Sequence, residues 1–198
     1  LGFNWDFEKD FLKYNKFCKL ITYDHTVTYF SLIKNFFQNL FFSIRYRKEP
    51  EKIFKLIDYF LFFYGYRAIH KKNKIGYTNI KKQKQIDLDK VLKNKKKIFL
   101  KIDIESDEYK ILDKIIKYQK DILCLVIEFH KIGDNLKKLK KFYKKFKLVN
   151  CNTCPNNSSG LDNKNNTKTI EVTFINKIFF KKDDYKKKIV SKCSINNP

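Results

Sequence analysis

The order of apolar and polar positions predicts a chain in which helices and strands alternate. Residues 1–8 have the composition of a loop that enters a helix extending through Lys16. Lys19–Tyr23 is a short apolar run and predicts a strand that ends just before Asp24. The next segment, Thr28–Tyr66, has apolar residues at helical spacing.

Two helices are predicted within Thr28–Tyr66, and each has one apolar stripe. The stripe of the first contains Phe30, Ile33, Phe37, Leu40, Phe41 and Ile44. The second helix opens at Pro50 and Glu51, and its stripe contains Ile53, Phe54, Ile57, Phe60 and Leu61. Aromatic stripes of this kind are usually core, so we expect them to be buried; the alternative is an apolar wall for a substrate.

The second half of the chain alternates strand and helix until its last two strands. In order, the pattern predicts the strand Lys97–Ile104, the helix Asp107–Tyr118, the strand Leu123–Phe129, the helix Asn135–Lys145, the strand Phe146–Asn150, the loop Asn152–Thr167 and the strand Thr169–Asn176. Apolar strands separated by helices indicate an α/β fold around a mostly parallel sheet. No helix separates the final two strands, so we expect an antiparallel hairpin at one edge, in a single domain over residues 1–180 with a lysine-rich tail at 181–198.

Composition places the chain among globular proteins. It has 198 residues, of which 43% are hydrophobic and 33% charged, and its formal net charge is +23. Almost all of the positive charge is lysine, and lysine is abundant together with other residues that have A/T-rich codons. Arginine reads phosphates and bases better and is nearly absent, so we expect weak attraction to polyanions but no specific nucleic-acid partner.

The apolar runs, the first residues and the cysteines of the chain predict where the protein is located. No apolar run is long enough to span a bilayer, and the first residues have no secretory pattern. The five cysteines form an odd, unpatterned set, which favours a reducing compartment and a cytoplasmic protein. Cys124 lies in an apolar run and is expected to be buried; Cys151 and Cys154 form a single C-x-x-C, which does not favour a zinc site without further ligands.

Candidate chemistry follows from the rule that ligands of open α/β sheets bind at the carboxyl ends of the strands. The polar residues at those positions are Gly2, Asn4, Asp6, Asp24, His25, Asp103, Glu105, Glu128, His130, Asn152, Asn156 and Asn157. Asp24 follows Gly2 by about twenty residues, the spacing at which a second-strand acid holds ribose hydroxyls in nucleotide-binding folds. The structural alternatives are an ordinary loop acid for Asp24, helix capping for Asp103, Glu105 and Asp107, and a satisfied structural histidine for His130.

Two strings carry a family resemblance. LKIDIESDEYKIL at Leu100–Leu112 and LVIEFH at Leu125–His130 resemble the pattern of FkbM-like methyltransferases. IEVTFINK at Ile170–Lys177, preceded by Asn156 and Asn157, is similar to the closing strand of that family, and LGFNWDFE at Leu1–Glu8 to its glycine loop. The resemblance implies a Rossmann-like methyltransferase sheet and transfer of a methyl group from S-adenosyl-L-methionine, generally to a hydroxyl of a sugar, glycolipid or metabolite.

The resemblance also implies roles for individual residues. Gly2, Asn4, Asp24 and Asp103 would bind the cofactor, with Asp24 on its ribose, while Asn156 and Asn157 would face the small-molecule or glycan acceptor. His130, Asp103 and Glu105 would border methyl transfer, with His130 as the first choice of general base, since imidazole titrates near neutrality, and Asp103 as the second. A metal at Asp103, Glu105 and His130 is compatible with the ligand types, but none is assigned.

Three departures from the family pattern keep alternatives open. Ser106 replaces the usual glycine after IDIE, and Cys151 and Thr153 stand where the pattern has histidines. The resemblance also implies that the first strand of the sheet would precede Leu1, so we expect that strand to be missing from these 198 residues. We therefore expect this 198-residue chain to bind cofactor poorly, and the protein with that strand to bind it. The alternatives to an active methyltransferase are a catalytically degenerate relative, a basic polyanion-binding domain and a nucleotide-sugar enzyme on a similar sheet.

Overall fold

The computed structural model describes residues 4–46, 54–65, 67–81, 84–104, 107–153 and 169–179. The chain divides into two compact units, residues 1–86 and 87–198. Each unit has helices and one pair of parallel strands, so the predicted mixed α/β class is confirmed. The single domain over residues 1–180 stays a prediction, and the tail at 181–198 lies outside the described residues.

The first unit is built around two short parallel strands. Its elements are α1 (Asp6–Tyr14), β1 (Leu20–Tyr23), α2 (Tyr29–Tyr46), α3 (Lys55–Phe63), β2 (Ala68–Lys71), β3 (Lys74–Gly76) and β4 (Gln85–Asp87, whose last residue belongs to the second unit). β1 pairs with β2 in parallel, from Leu20 opposite Ala68 to Tyr23 opposite Lys71. A parallel pair needs a long crossover, and α2 and α3 lie in that connection.

The core of the first unit forms around its one tryptophan. Trp5 is fully buried and packs with Val27, Leu32 and Tyr59. Its indole Nε1–H donates to Asp58 Oδ2 at 2.8 Å, which satisfies the polar atom that burial would otherwise leave without a partner. This cluster holds α1 against α3.

The second unit contains the larger sheet. Its elements are α4 (Leu88–Leu92), β5 (Ile98–Ile102), α5 (Glu108–Lys117), β6 (Ile122–His130), α6 (Ile132–Tyr143), β7 (Phe146–Thr153) and β8 (Thr169–Asn176). The strand order is β5-β6-β8-β7, in which β6 is parallel to β5 and β8 is antiparallel to both of its neighbours. The predicted antiparallel hairpin at the sheet edge is therefore present, with β7 outermost.

Buried aromatic residues and one asparagine hold this sheet together. Phe142 of α6 stacks on Phe146 with ring centroids 4.7 Å apart and meets Phe174 of β8 edge-on. Asn176 is fully buried, and its amide nitrogen donates to the backbone carbonyls of Gln119 and Ile122. Asn176, in the string IEVTFINK, thus anchors the end of β8 to the turn before β6.

Most predicted elements are confirmed within a few residues, but two expectations about burial are wrong. On α2, Phe30, Ile33, Phe37, Phe41 and Ile44 are exposed, as are Phe54, Ile57 and Leu61 in and beside α3. These residues lie on the side of each helix away from the core, whereas the core side of the two helices contains Leu32 and Tyr59. Cys124 is half-buried, not buried, although burial still raises the pKa of its thiol. Ile53, Pro50 and Glu51 lie outside the described residues.

The sheets are small and separate. Among the described residues, β1 pairs with β2 alone and β5 with β6 alone. Within the same ranges, no helix is both long and apolar enough to cross a membrane.

Candidate functional site

The carboxyl ends of β5 and β6 bring two predicted site residues together. Ile102 lies opposite Ile127 in the parallel pair, so the next step along both strands places Asp103 beside Glu128. Glu128 and His130 are two residues apart on β6 and therefore point to the same face of the sheet. One ligand atom from each of Asp103, Glu128 and His130 lies within 4.8 Å of the other two.

A buried carboxylate supports His130 from behind. Glu108, in the first turn of α5, is fully buried, and its Oε1 accepts a hydrogen bond from the Ile104 backbone N–H at 3.3 Å. The same Oε1 lies 3.1 Å from Nδ1 of His130. Burial of a carboxylate is costly unless it is paired, so these contacts explain how the fold accommodates Glu108.

The Glu108 contact assigns the tautomer of His130. An ionised carboxylate only accepts hydrogen bonds, so Nδ1 carries the proton that it donates to Glu108. In the neutral ring Nε2 then has a lone pair, and it lies on the side of Glu128, whose Oε1 is 3.7 Å away. The ring is thus oriented with a proton acceptor at the strand ends.

The acidic character of this face continues across the sheet. Glu128 on β6 pairs with Glu171 on β8, and Glu171 pairs with Asn152 on β7. Cross-strand partners share a face, so Asp103, Glu128 and Glu171 form a row of three carboxylates in a chain of net charge +23. Like charges at paired positions destabilise a sheet, and their concentration here favours a site that binds a positively charged group.

An aromatic pair forms the underside of the site. Tyr109 follows Glu108 and stacks on Phe129, with ring centroids 5.3 Å apart. Burial, and then the nearby Glu108 charge, raises the pKa of Tyr109 well above its usual range. Tyr109 therefore stays protonated and serves as packing, which fixes α5 against β6.

The candidate residues of the first unit have local structural contacts. Asn4 is exposed, and its Oδ1 accepts from the Asp6 backbone N–H at 2.9 Å, at the start of α1. Asp24 follows β1 directly, as predicted, and its Oδ1 accepts from the backbone N–H and the hydroxyl of Thr26 at 2.7 and 2.6 Å. These bonds are those of the ordinary loop acid and do not test the ribose role.

Four predicted site residues lie outside the described residues: Gly2, Glu105, Asn156 and Asn157.

Asp107 occupies the N-cap position of α5, but its carboxylate pairs with Lys110 at 2.6 Å and makes no capping hydrogen bond. The alternative that Asp107 caps α5 therefore predicted the position of this residue correctly, but the side-chain hydrogen bond of a helix cap is not formed.

The sequence did not indicate Glu108 or Glu171 as site residues, and it indicated Glu128 only as a candidate at a strand end, without a role. Glu128 was among the residues at strand ends, and its spacing of two from His130 on a strand was the signal for a shared face. Glu108 lies in the string LKIDIESDEYKIL and in the first turn of the helix predicted there. An acid in the first turn of a helix is usually explained by the helix dipole, not by contact with a histidine distant in sequence. Glu171 had no signal beyond its place in an alternating strand.

The cluster also has the ligand types of a cation site. Two carboxylates and one imidazole suit Mn²⁺ and related divalent ions, and a buried carboxylate behind the histidine is a common arrangement around such ions. Without an ion, His130 is a proton acceptor with the carboxylates of Asp103 and Glu128 beside it. Both arrangements use Nε2 of His130.

Comparison of the chain with protein-family models, with curated proteins and with solved structures found no match.

Proposed function

We propose that the protein is an S-adenosyl-L-methionine-dependent methyltransferase that acts on a hydroxyl oxygen. The observation that carries this proposal is the convergence of Asp103, Glu128 and His130 at the carboxyl ends of two adjacent parallel strands. Ligands of open α/β sheets bind at such ends. The strings that contain these residues are also those that resemble FkbM-like methyltransferases.

The sheet of the second unit supports the same proposal. A parallel pair followed by an antiparallel edge hairpin, in the order β5-β6-β8-β7, is similar to half of a Rossmann-like methyltransferase sheet. The first unit contains a parallel pair of its own, β1–β2, and Asp24 directly follows β1. Sheet layout alone does not define an activity, so the site residues carry the chemical part of the argument.

The charges of the site suit the proposed cofactor. When bound, S-adenosyl-L-methionine supplies a methyl group on a sulfonium, which loses its positive charge as the methyl carbon bonds to the acceptor oxygen. The carboxylates of Asp103, Glu128 and Glu171 provide the negative potential that attracts a cationic ligand. The basic surface of the rest of the chain would otherwise repel it.

His130 removes the acceptor proton in this proposal. Nε2 takes the hydroxyl proton as the new oxygen–carbon bond forms, and the ring becomes an imidazolium. Glu108, at 3.1 Å from Nδ1, holds the ring in the required tautomer and stabilises that positive charge. Asp103 positions the reacting groups at the strand end, and the acceptor is a hydroxyl of a sugar, glycolipid or metabolite.

Calorimetric titration of S-adenosylhomocysteine tests the proposal. The chain is titrated as it is and together with any residues that its gene encodes upstream of Leu1, in parallel with Asp24→Ala. Asp113→Ala is the matched control, because Asp113 is a strongly exposed carboxylate on the outer face of α5. Where the gene encodes such upstream residues, we expect micromolar binding by that longer protein, its loss in Asp24→Ala and its retention in Asp113→Ala.

Other outcomes point to the alternatives. A folded longer protein that does not bind S-adenosylhomocysteine would remove the methyltransferase proposal. Salt-sensitive binding to polyanions would then favour the basic binding domain. Cofactor binding without methyl transfer to any tested hydroxyl would favour the degenerate relative.

A further inference from the structure

Among the described residues, α2 has a continuous stripe of exposed apolar side chains. Phe30, Ile33, Phe37, Phe41 and Ile44 have between 45% and 78% of their side chains exposed. At about 100° per residue these five positions fall within a sector of about 80°, and the stripe is about 21 Å long. Exposed apolar surface of this extent marks an interaction site in proteins that are otherwise well packed.

The stripe is distinct from the face of α2 that packs inside the protein. Leu32 is buried in the cluster with Trp5, and its position on the helix is about 140° away from the centre of the exposed sector. The helix therefore has one apolar face for the core and a second for something else. A helix that is apolar on both sides is ordinarily covered on both.

A second stripe of the same kind accompanies α3. Phe54, Ile57, Leu61 and Tyr64 are between 53% and 76% exposed and repeat at helical spacing. Tyr59, on another face of α3, is 4% exposed and packs against Trp5. Both helices of the crossover thus combine a core face with an exposed aromatic face.

Charge indicates what covers these stripes. Lys34 and Arg45 lie on α2 at the edge of the exposed sector, and α2 has no acidic residue in its first turn. The net charge of the chain is +23. Apolar aromatic side chains flanked by cations on one helix are the features of helices that lie in the interface of an anionic bilayer.

We propose that the exposed stripes of α2 and α3 dock the protein on an anionic lipid surface. The aromatic side chains enter the boundary between headgroups and acyl chains, while Lys34 and Arg45 stay at the level of the lipid phosphates. The role is one of surface attachment and is independent of cofactor binding at β5 and β6.

The charge also argues against the other occupants. Two copies of a chain with a net charge of +23 repel each other, which disfavours a dimer through these faces. A nucleic-acid duplex would neutralise the lysines but would leave the phenylalanines in water, because its bases are stacked within the helix. An anionic bilayer satisfies both the apolar and the basic features.

Vesicle flotation tests the proposal, with vesicles of phosphatidylcholine alone and of phosphatidylcholine mixed with phosphatidylglycerol. The test variant is Phe37→Ser/Phe41→Ser; serine and phenylalanine have similar helix propensities, so α2 is retained. The matched control is Phe17→Ser, because Phe17 is fully exposed but lies outside both stripes. Circular dichroism and sedimentation velocity accompany each protein.

We expect the unmodified chain to partition onto the anionic vesicles at least about tenfold more strongly than onto neutral ones. The double variant should lose at least about tenfold of that partitioning, whereas Phe17→Ser should keep it. Equal flotation of the double variant and the unmodified chain would overturn the proposal. So would a dimer that only the double variant disrupts, or binding to single-stranded RNA without binding to the anionic vesicles.

Discussion

His130 Nδ1 lies 3.1 Å from Oε1 of the fully buried Glu108, across 22 residues of sequence. The two residues come from different elements, the end of β6 and the start of α5, and the contact joins them at the carboxyl edge of the sheet. It sets the direction of the imidazole ring and leaves Nε2 3.7 Å from Oε1 of Glu128. A histidine oriented by a buried carboxylate is the arrangement that proton transfer at a defined atom requires.

Substitution of either partner should separate proton transfer from cofactor binding. In the longer protein that binds S-adenosylhomocysteine, His130→Ala should lower kcat by about 10² to 10⁴, the usual contribution of a general base. Glu108→Gln keeps the size of the side chain and loses its charge, so kcat should fall by about 10- to 100-fold. The dissociation constant for S-adenosylhomocysteine, measured by calorimetry, should change little in both.

The control for these variants is Asp113→Asn, which should retain full kcat. Asp113 is an exposed carboxylate on the same helix as Glu108. If His130→Ala were as active as the unmodified protein, the assignment of the base would be wrong.

A divalent cation should inhibit the reaction if Nε2 of His130 is the base. Because ligand atoms of Asp103, Glu128 and His130 lie within 4.8 Å of one another, Mn²⁺ bound there would occupy the lone pair that accepts the proton. The measurement is the methyl-transfer rate with Mn²⁺ added and after its removal by chelation. Activation by Mn²⁺ would instead make His130 a metal ligand and would require another base.

The ion pair of Lys114 should contribute much more stability than an exposed pair on the same surface of the unit. Lys114 is 9% exposed, and its Nζ lies 2.5 Å from Asp87 Oδ1. Lys114→Met leaves Asp87 without this partner in a poorly solvated position, and the free energy of unfolding should fall by about 3 kcal/mol.

Lys141→Met is the matched change. Lys141 pairs with Asp113 at 2.8 Å, and both side chains are strongly exposed, so the loss should be below about 1 kcal/mol. Urea unfolding followed by circular dichroism measures both variants. Similar losses in the two would show that burial does not distinguish the pairs.

The first unit should lose stability as the pH falls through the range in which unfolded histidine takes up a proton. His70 Nε2–H donates to the Asp24 carbonyl at 2.9 Å, and Nδ1 accepts from the Tyr59 hydroxyl. Burial, with Lys72 adding to it, lowers the pKa of His70 below its usual value of 6.5. The unfolded chain therefore binds the proton first, so this contribution is complete above pH 6.5 and declines below it until the folded pKa is reached.

His70→Gln removes this dependence, because a glutamine amide can donate and accept like neutral imidazole but does not titrate. Urea unfolding at several pH values, followed by the fluorescence of Trp5, reports on the same cluster that contains Tyr59. The fall in stability below pH 6.5 should be smaller in the variant. Equal falls would assign the pH dependence to other groups.

Elements with a distinct apolar run or a clear apolar period were predictable, and the other short elements were not. β8 has the predicted bounds, and β1, β6 and α5 differ from theirs by one or two residues, because their apolar residues repeat at strand or helix spacing. β2, β3, β4 and α4 have three to five residues each, too few for a period to emerge. Their pairing depends on residues distant in sequence.

The site was predictable in part for a similar reason. Asp103 and His130 follow apolar runs, and the rule for strand ends brings such residues together without knowledge of the packing. Glu108 was not predictable as a partner of His130, because the contact depends on how α5 packs against β6. Glu171 reaches the acidic row through an antiparallel register that only the folded sheet defines.

The sequence by itself determined the alternation of strands and helices, the edge hairpin and the acids at the strand ends, since these follow from local periodicity and chain order. Tertiary structure decided which of two apolar faces of α2 meets the core. Leu32 is buried and Phe37 is exposed, although both are apolar and both occur at helical spacing. Periodicity shows that a face is apolar, but only the surrounding elements determine whether that face is covered.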